Sequence, residues 1–296
     1  MPITSILDLG SLKLKLTIFE GTAPVYKNSF LTLLGKDLTE TGELSQKAFD
    51  LLNTALAESL KVIDSYPDSQ IQIIGTEALR KIKDIQKIQI LVNQYFPNHQ
   101  IRIIEQKEEG SLLFQAVEKC FDTKICLCDI GGGSVQILYG DTQIEKEYHT
   151  KTGTYTLQQQ FSPKNDVISD DFSKANKVIQ RELDDLNIIS DVLIFGSTCM
   201  QDFIKSASEI IDLGLVYDKK FLAHDFYVTI DGLEKLLAEV CKYPPDSRRK
   251  FYPAEEYFAY GADYLFLNLI LIAKKTQAKF IYPTNFNTSY AFIKKD

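Results

Sequence analysis

Two segments of the chain, far apart in sequence, share one plan: an apolar strand, an aspartate, a glycine turn and a returning strand. Residues 125–140 read ICLCDIGGGSVQILYG, and residues 5–20 read SILDLGSLKLKLTIFE. Glycines let the backbone N–H groups of such a turn approach a ligand, and successive N–H groups form a concave anion site. The repeat predicts two similar domains that face each other across a phosphate-binding cleft.

The middle hairpin carries the fuller pattern. Gly131, Gly132 and Gly133 remove every Cβ from the turn, and Ser134 follows them. Asp129 ends the first strand, where its carboxylate could hold a hydrated divalent cation beside a bound phosphate, and Mg²⁺ is the usual cation for phosphates. A glycine-rich hairpin turn without a ligand is the alternative interpretation.

The early hairpin repeats this plan with Asp8, Gly10 and Ser11. In its returning strand, apolar residues alternate with polar ones, which predicts one apolar face. That face would consist of Leu12, Leu14, Leu16 and Ile18. The strands and helices predicted for the rest of the chain alternate, which indicates an α/β fold.

Composition limits the classes of protein that the chain can represent. Its net charge of −7, from 33 basic and 40 acidic residues, does not attract nucleic acid. No secretory signal and no apolar run long enough to span a bilayer are visible in the sequence, and five irregularly spaced cysteines indicate free thiols. These features predict a cytoplasmic protein. Cys126 and Cys128 are expected to be buried core thiols rather than metal ligands.

Three charged positions have two interpretations each. Arg80, one turn into a predicted helix, either is a solvated residue or pairs with Glu77, or it contacts phosphate; the residues alone favour the solvated or paired arrangement. Glu108 and Glu109 start a helix, where they either stabilise the helix dipole or supply a base for an attacking water. Because neighbours on a helix point about 100° apart, at most one of these two faces a given cleft.

Two later segments could also meet an anion. Gly196, Ser197 and Thr198 lie between a predicted strand and a predicted helix, where backbone N–H groups could hold phosphate. Residues 248–250 read Arg-Arg-Lys, which is typical of a solvated surface and, less often, of a polyanion track.

Taken in order, these motifs resemble the exopolyphosphatase / guanosine pentaphosphate phosphohydrolase (Ppx/GppA) family in its short, two-domain form. The matching residues are 8–11, 75–80, 108–109, 129–134, 153 and 196–198. The resemblance covers nearly the whole chain. It implies the actin/Hsp70/sugar-kinase fold, with two ribonuclease-H-like domains around an interdomain cleft. The domains are then expected at residues 1–120 and 121–296, with a tail near residues 285–296 that packs on the first.

The resemblance also implies roles for the site residues. Glu109 would activate water, Arg80 would line the cleft, and Asp129, helped by Asp8, would hold Mg²⁺. The implied phosphate-binding residues are Gly10, Ser11, Gly131, Gly132, Gly133, Ser134, Gly196, Ser197 and Thr198. The implied ligands are polyphosphate and guanosine penta- or tetraphosphate. A homodimer that binds neither nucleic acid nor membrane is expected.

The expected reaction is release of a terminal phosphate by Mg²⁺-assisted attack of water. Three departures from the family pattern put turnover in question. Gln136 stands where the family has Glu, Leu12 stands where it has Asn, and residues 283–290 lack its Gly-Leu-Arg-Glu-Gly motif. One alternative is therefore a family member that binds a phosphate-rich ligand as a regulator with little or no turnover. A kinase of the same superfamily is a disfavoured third alternative, because the Glu109 region resembles the hydrolase pattern.

Overall fold

The computed structural model describes residues 1–35, 38, 42–161, 170–196, 199–254 and 258–293, with the backbone alone for residues 170 and 171. Its contacts divide the chain into two compact units. Unit 1 comprises Met1–Leu113 and Thr288–Asp296, and unit 2 comprises Phe114–Asn287. The domain boundary at residue 120 stays a prediction.

Unit 1 is built on a mixed sheet. Its strands are β1 (Ile3–Leu9), β2 (Lys13–Glu20), β3 (Ala23–Leu31), β4 (Gln70–Gly75) and β5 (Ile101–Ile103), and its helices are α1 (Gln46–Ile63), α2 (Glu77–Lys81), α3 (Ile85–Tyr95) and the start of α4 (Gln106–Glu118). The strand order is β3-β2-β1-β4-β5. The first three strands are antiparallel neighbours, whereas β4 and β5 run parallel to β1.

Unit 2 repeats this sheet. Its strands are β6 (Ile125–Ile130), β7 (Val135–Gly140), β8 (Ile144–Thr150), β9 (Val192–Phe195), β10 (Val216–Phe221), β11 (His224–Tyr227) and β12 (Phe280–Pro283). Its helices are α5 (Thr154–Phe161), α6 (Asp170–Glu182), α7 (Met200–Ser208), α8 (Ile230–Val240), α9 (Ala262–Thr276) and the 3-10 helix Pro245–Phe251. The order β8-β7-β6-β9-β12, with the same strand directions, confirms the predicted repeat.

Local sequence explains most of these elements. Leu14, Leu16 and Ile18 are buried in β2 as the alternation predicts. Leu12 is 43% exposed and precedes the strand, so its place on the apolar face was wrong: it belongs to the turn, where the strand pleat has not begun. At the start of α1, the Ser45 side chain accepts a hydrogen bond from the backbone N–H of Ala48, as expected of a helix cap.

The C-terminal tail closes one side of the core of unit 1. The ring of Tyr290 meets that of Phe19 edge-on, with 5.1 Å between centroids. The guanidinium of Arg102 lies 5.3 Å from the ring centroid of Phe292. These contacts bury Phe19 on the face of β2 opposite the leucines, so the end of this strand is covered on both faces.

Helix α9 is the apolar helix of unit 2. It begins at Ala262 and ends at Thr276, and most of its side chains are buried in the core of that unit. Within the described ranges, no helix combines the length and the apolar character that crossing a bilayer requires.

The interpretation of residues 248–250 as a solvated surface or a polyanion track was wrong for Arg248, which is buried. Its guanidinium donates hydrogen bonds to the carbonyl oxygens of Tyr243 and Tyr260, both at 3.0 Å, and to the carboxylate of Asp263 at 2.9 Å. A guanidinium can be buried when its charge is paired and its N–H groups are bonded in this way. Arg248 therefore holds the 3-10 helix against the start of α9.

A buried histidine lies among aromatic rings of unit 2. The His224 ring lies 4.8 Å from that of Phe121 and is stacked on that of Phe286 at 5.9 Å. Its Nδ1 lies 2.9 Å from the carbonyl oxygen of Leu222, and Nε2 has no hydrogen-bond partner among the described atoms. Burial lowers the pKa of His224, and the Leu222 carbonyl and Asp225 only partly oppose this.

Acid is therefore expected to destabilise the fold through His224. An unfolded histidine has a pKa of about 6.5, and the folded pKa lies below it, so the unfolded chain binds more protons as the pH falls through this range. The contribution of neutral His224 to the free energy of unfolding is therefore present above about pH 6.5 and is lost below it. The loss is about 1.4 kcal/mol for each factor of ten by which folding weakens proton binding to this residue. We expect the urea midpoint to fall less on acidification in His224→Phe than in the wild type. Equal falls would contradict the prediction.

Candidate functional site

The first hairpin places an aspartate at the end of β1. Asp8 is 3% exposed and stands directly opposite Lys15 of β2, whose Nζ lies 3.6 Å from Asp8 Oδ2. Asp8 Oδ1 is buried without a hydrogen-bond partner among the described atoms. The Gly10 N–H donates to the carbonyl of Lys13 at 3.0 Å and closes the turn that carries Ser11. A buried carboxylate with one open oxygen is suited to accept a cation or a donor from a ligand.

An arginine and a glutamate from different helices meet in the same unit. Arg80 of α2 donates a hydrogen bond from Nη1 to Glu109 Oε2 of α4 at 3.1 Å, and the same nitrogen bonds to the carbonyl of Ile104. Both side chains are mostly buried, with 17% and 22% of their surface exposed. The alternative pairing of Arg80 with Glu77 was wrong, because Glu77 pairs with Lys81 at 2.5 Å.

The two adjacent glutamates of α4 diverge, as helix geometry requires. Glu108 turns towards Arg102 of β5, and Glu109 turns towards Arg80. Both also lie in the first turn of α4, where a carboxylate stabilises the helix dipole. Only Glu109 therefore shares its surroundings with Arg80.

Further contacts bring the first hairpin and α2 together. The Ser11 hydroxyl donates to Glu77 Oε2 at 3.5 Å. The Thr76 N–H donates to the carbonyl of Leu9 at 3.3 Å. Since β1, β4 and β5 run parallel, their carboxyl ends lie at one edge of the sheet. Unit 1 thus gathers five of the predicted site residues at that edge: Asp8, Gly10, Ser11, Arg80 and Glu109.

The second hairpin closes its turn in the same way. The Gly131 N–H donates to the carbonyl of Ser134 at 2.9 Å. The Gly131 carbonyl accepts from the N–H of Thr154 at 3.0 Å, and the Gly132 carbonyl accepts from the N–H of Tyr155 at 2.9 Å. The turn carbonyls therefore cap the start of α5.

Three N–H groups of this turn, those of residues 132 to 134, have no acceptor within the described part of the chain. Three successive free N–H groups are the donors that a phosphate oxygen needs. The backbone geometry of unit 2 is thus compatible with the predicted phosphate cradle.

Gly153 allows α5 to approach the turn so closely. A Cβ at this position would lie less than 3.0 Å from the Gly132 carbonyl oxygen and from the nitrogen of Ser134, which real Cβ atoms essentially never show. The sequence predicted a turn at Gly153, and the family resemblance included this residue among the matching motifs. Its spatial role depends on a contact between residues that are distant in sequence.

The residue opposite each aspartate differs between the units. Asp129 at the end of β6 pairs in register with Gln136 of β7, as Asp8 pairs with Lys15. Gln136 is only 6% exposed. The cross-strand neighbour of Asp8 is thus a cation, and that of Asp129 is a neutral amide.

The side chains present fit a Mg²⁺ ion that is held partly by its substrate. Mg²⁺ usually binds one or two carboxylates and completes its shell with water and phosphate oxygens. The open oxygen of Asp8 meets this need, and Asp129 occupies the equivalent position in unit 2. Nowhere in the described ranges do three or more His, Cys, Asp or Glu side chains form a closed metal site. Burial raises the pKa of Cys126 to about 12 and that of Cys128 well above its ordinary value, so these thiols stay protonated and are poor ligands.

The third glycine turn is described only in part. Gly196 has a φ of +90° and donates its N–H to the carbonyl of Cys128 at 3.3 Å. Ser197 and Thr198 lie outside the described residues. In α7, the N–H of Gln201 donates to Asn285 Oδ1 at 2.8 Å. Asn285, from the segment that lacks the family motif, thus binds one of the helix N–H groups that could have met phosphate.

Known proteins resemble this chain in sequence and in fold. A family model described as the Ppx/GppA phosphatase family matches residues 19–256. Among curated proteins, the chain is 27% identical over 208 residues to a bifunctional 3-dehydroquinate synthase/phosphatase of Fusobacterium nucleatum; the match covers 64% of this chain and 30% of that protein. It is 19% identical over 167 residues to exopolyphosphatase 2 of Mycobacterium tuberculosis, covering 54% of this chain and 52% of that protein. The chain thus spans about half or less of the curated relatives' lengths.

A solved structure shows the fold. The exopolyphosphatase from Cytophaga hutchinsonii superposes with a TM-score of 0.79 at 16% identity, covering 98% of this chain and 96% of that one. This likeness and the repeated sheet order confirm the predicted fold class, α/β with two ribonuclease-H-like domains. The family model extends over most of the chain, from the second strand of unit 1 to the segment before α9. The chain belongs to the Ppx/GppA phosphatase family.

Proposed function

We propose that the chain is a phosphohydrolase that releases terminal phosphate from polyphosphate or guanosine pentaphosphate. The observation that carries this proposal is the ion pair of Arg80 and Glu109 at the sheet edge that also holds Asp8. Hydrolysis of a phosphoanhydride needs an oriented water and neutralised charge, and little covalent chemistry. A carboxylate and a guanidinium fixed beside each other can supply both.

Each residue of the proposed site has a defined task. Glu109 accepts a proton from the attacking water, and Arg80 orients that carboxylate and offers its remaining N–H groups to phosphate oxygens. The turn N–H groups of Gly132 and Gly133 bind phosphate oxygens. Asp8 and Asp129 would hold Mg²⁺, which when bound supplies positive charge to the phosphates.

The proposal also covers the substrate, the oligomeric state and the cellular location. One relative is named an exopolyphosphatase, which supports polyphosphate as the ligand. Guanosine pentaphosphate carries the same phosphoanhydride group, and the geometry does not distinguish the two. The proposal also includes a cytoplasmic homodimer, as the family resemblance implies.

The second candidate function is binding of the same ligands with little turnover. Gln136 favours it, because a neutral amide is buried opposite Asp129 where the family resemblance implies a carboxylate. An amide can donate and accept hydrogen bonds but takes up a proton poorly.

Phosphate release from both substrates, with Mg²⁺ and with a chelator, separates the two functions. We expect Mg²⁺-dependent release by the wild type, and Gln136→Glu to raise it by roughly 10²-fold or more, because a positioned carboxylate contributes roughly 10²–10⁴. Gln143→Glu, the same change at an exposed position, should have no effect. Binding without release by the wild type, together with release by Gln136→Glu, would instead establish the binding function.

A further inference from the structure

We propose that Asn268 is a positioning residue for the phosphate-binding turn at residues 131–134. It would act through Thr152 and Gly153, which connect β8 to α5. The inference rests on the proposed function, because it takes this turn to be a phosphate site. Nothing in the sequence pattern singles out Asn268, which lies in the middle of the apolar helix α9.

Asn268 is 1% exposed, and both its amide nitrogen and its amide oxygen are hydrogen-bonded. Its Nδ2 donates to the carbonyl oxygens of Thr152 and Tyr264, both at 2.9 Å. Its Oδ1 accepts from the Thr152 hydroxyl at 2.9 Å. Two of these three hydrogen bonds go to one residue, 116 positions away, and bind both its backbone and its side chain. A buried amide is costly unless it is bonded, so this contact is specific in position and orientation.

Helix α9 holds the connection between β8 and α5 through Thr152. Thr152 is buried, and its hydroxyl also lies 2.6 Å from that of Thr150 at the end of β8. The three polar side chains form a connected buried network. It fixes the backbone immediately before Gly153.

Gly153 transmits this position to the turn. A Cβ there would collide with Gly132 and Ser134, so the backbone of residue 153 is packed directly against the turn. The next N–H groups, of Thr154 and Tyr155, donate to the turn carbonyls. Because packed backbone cannot absorb a shift, a displacement at Thr152 must reach the N–H groups that would meet phosphate.

The test measures ligand binding separately from stability. The probe is methylenediphosphonate, a diphosphate analogue that is not hydrolysed, with Mg²⁺, titrated by calorimetry well below the melting temperature. Asn268→Ala removes the bonds to Thr152, Thr152→Val removes the hydroxyl bonds and leaves the one to its backbone carbonyl, and Thr152→Ser keeps the hydroxyl. The control is Thr276→Val, which removes another buried hydroxyl of α9; this hydroxyl bonds to the carbonyl of Ile272 and has no bond to the segment before Gly153.

We expect Asn268→Ala and Thr152→Val each to weaken binding by about tenfold, and the double variant to weaken it little further. Thr152→Ser should bind within about twofold of the wild type, and Thr276→Val should lower the melting temperature without changing affinity. Wild-type affinity in Thr152→Val, or equal weakening in Thr276→Val, would overturn the inference even if Asn268→Ala does not fold. Absence of binding by the wild type would instead reject the proposed function.

Discussion

Replacing Glu109 by glutamine is expected to lower the rate of phosphate release by about 10²–10⁴. Glutamine keeps the shape of the side chain and can still accept a hydrogen bond from Arg80, so the fold around the pair should persist. What it loses is the ability to take a proton from water. We therefore expect kcat to fall while KM changes little, measured as phosphate release under saturating Mg²⁺.

The chain offers a matched control one residue away. Glu108 lies on the same turn of α4 and pairs with Arg102 instead of Arg80. Glu108→Gln makes the same chemical change on the other side of the helix, and we expect it to leave kcat unaltered. Equal losses of kcat in the two variants would show that the rate depends on the negative charge at the start of α4 and not on a general base at residue 109. Full activity in Glu109→Gln would remove Glu109 from the proposed role.

Replacing Gly153 by alanine is expected to abolish phosphate binding and to destabilise unit 2. The added Cβ has no room against the turn, and overpacking of this kind costs about 1–3 kcal/mol or more. Relief requires α5 to move away, which breaks the hydrogen bonds from its N–H groups to the turn carbonyls. Thermal unfolding and binding of methylenediphosphonate measure the two effects.

Gly132→Ala controls for the loss of a glycine as such. A Cβ at Gly132 would lie 3.7 Å from the Cβ of Tyr155, which is an ordinary van der Waals contact. We expect its melting temperature to stay close to that of the wild type. A Gly153→Ala variant as stable as Gly132→Ala would show that the backbone at residue 153 can move away from the turn without a loss of stability. That result would contradict the role of Gly153 in positioning the turn.

Local patterns predicted the parts of the site that are local. Each hairpin joins its aspartate to its turn within a few residues, so alternation and glycine content were sufficient to locate Asp8 and Asp129. The register of a short hairpin also places Lys15 opposite Asp8, a signal that was present in the sequence and not used.

Contacts between distant residues could not be predicted in this way. Arg80 and Glu109 are 29 residues apart, and local spacing favoured Glu77 as the partner of Arg80. Arg248 looked like a surface charge because its partner, Asp263, belongs to another element. Such pairings depend on how elements pack, which periodicity does not encode.

The β10–β11 hairpin was missed for a different reason. Its turn contains Ala223 with a φ of +59°, where a glycine or asparagine would have marked a turn. The preceding residues alternate weakly and include two adjacent lysines, Lys219 and Lys220. Without a turn residue, this stretch gave no hairpin signal.

The two hairpins have one backbone plan and opposite formal charge. Residues 8–15 contain one aspartate and two lysines, a net charge of +1, whereas residues 129–136 contain one aspartate and no lysine, a net charge of −1. By Coulomb's law, the side-chain charge of the first hairpin favours an anion more than that of the second, which leaves phosphate binding there to backbone N–H groups. Duplication of the fold has therefore not duplicated its electrostatics: the two hairpins share a backbone plan and differ in the sign of their net charge.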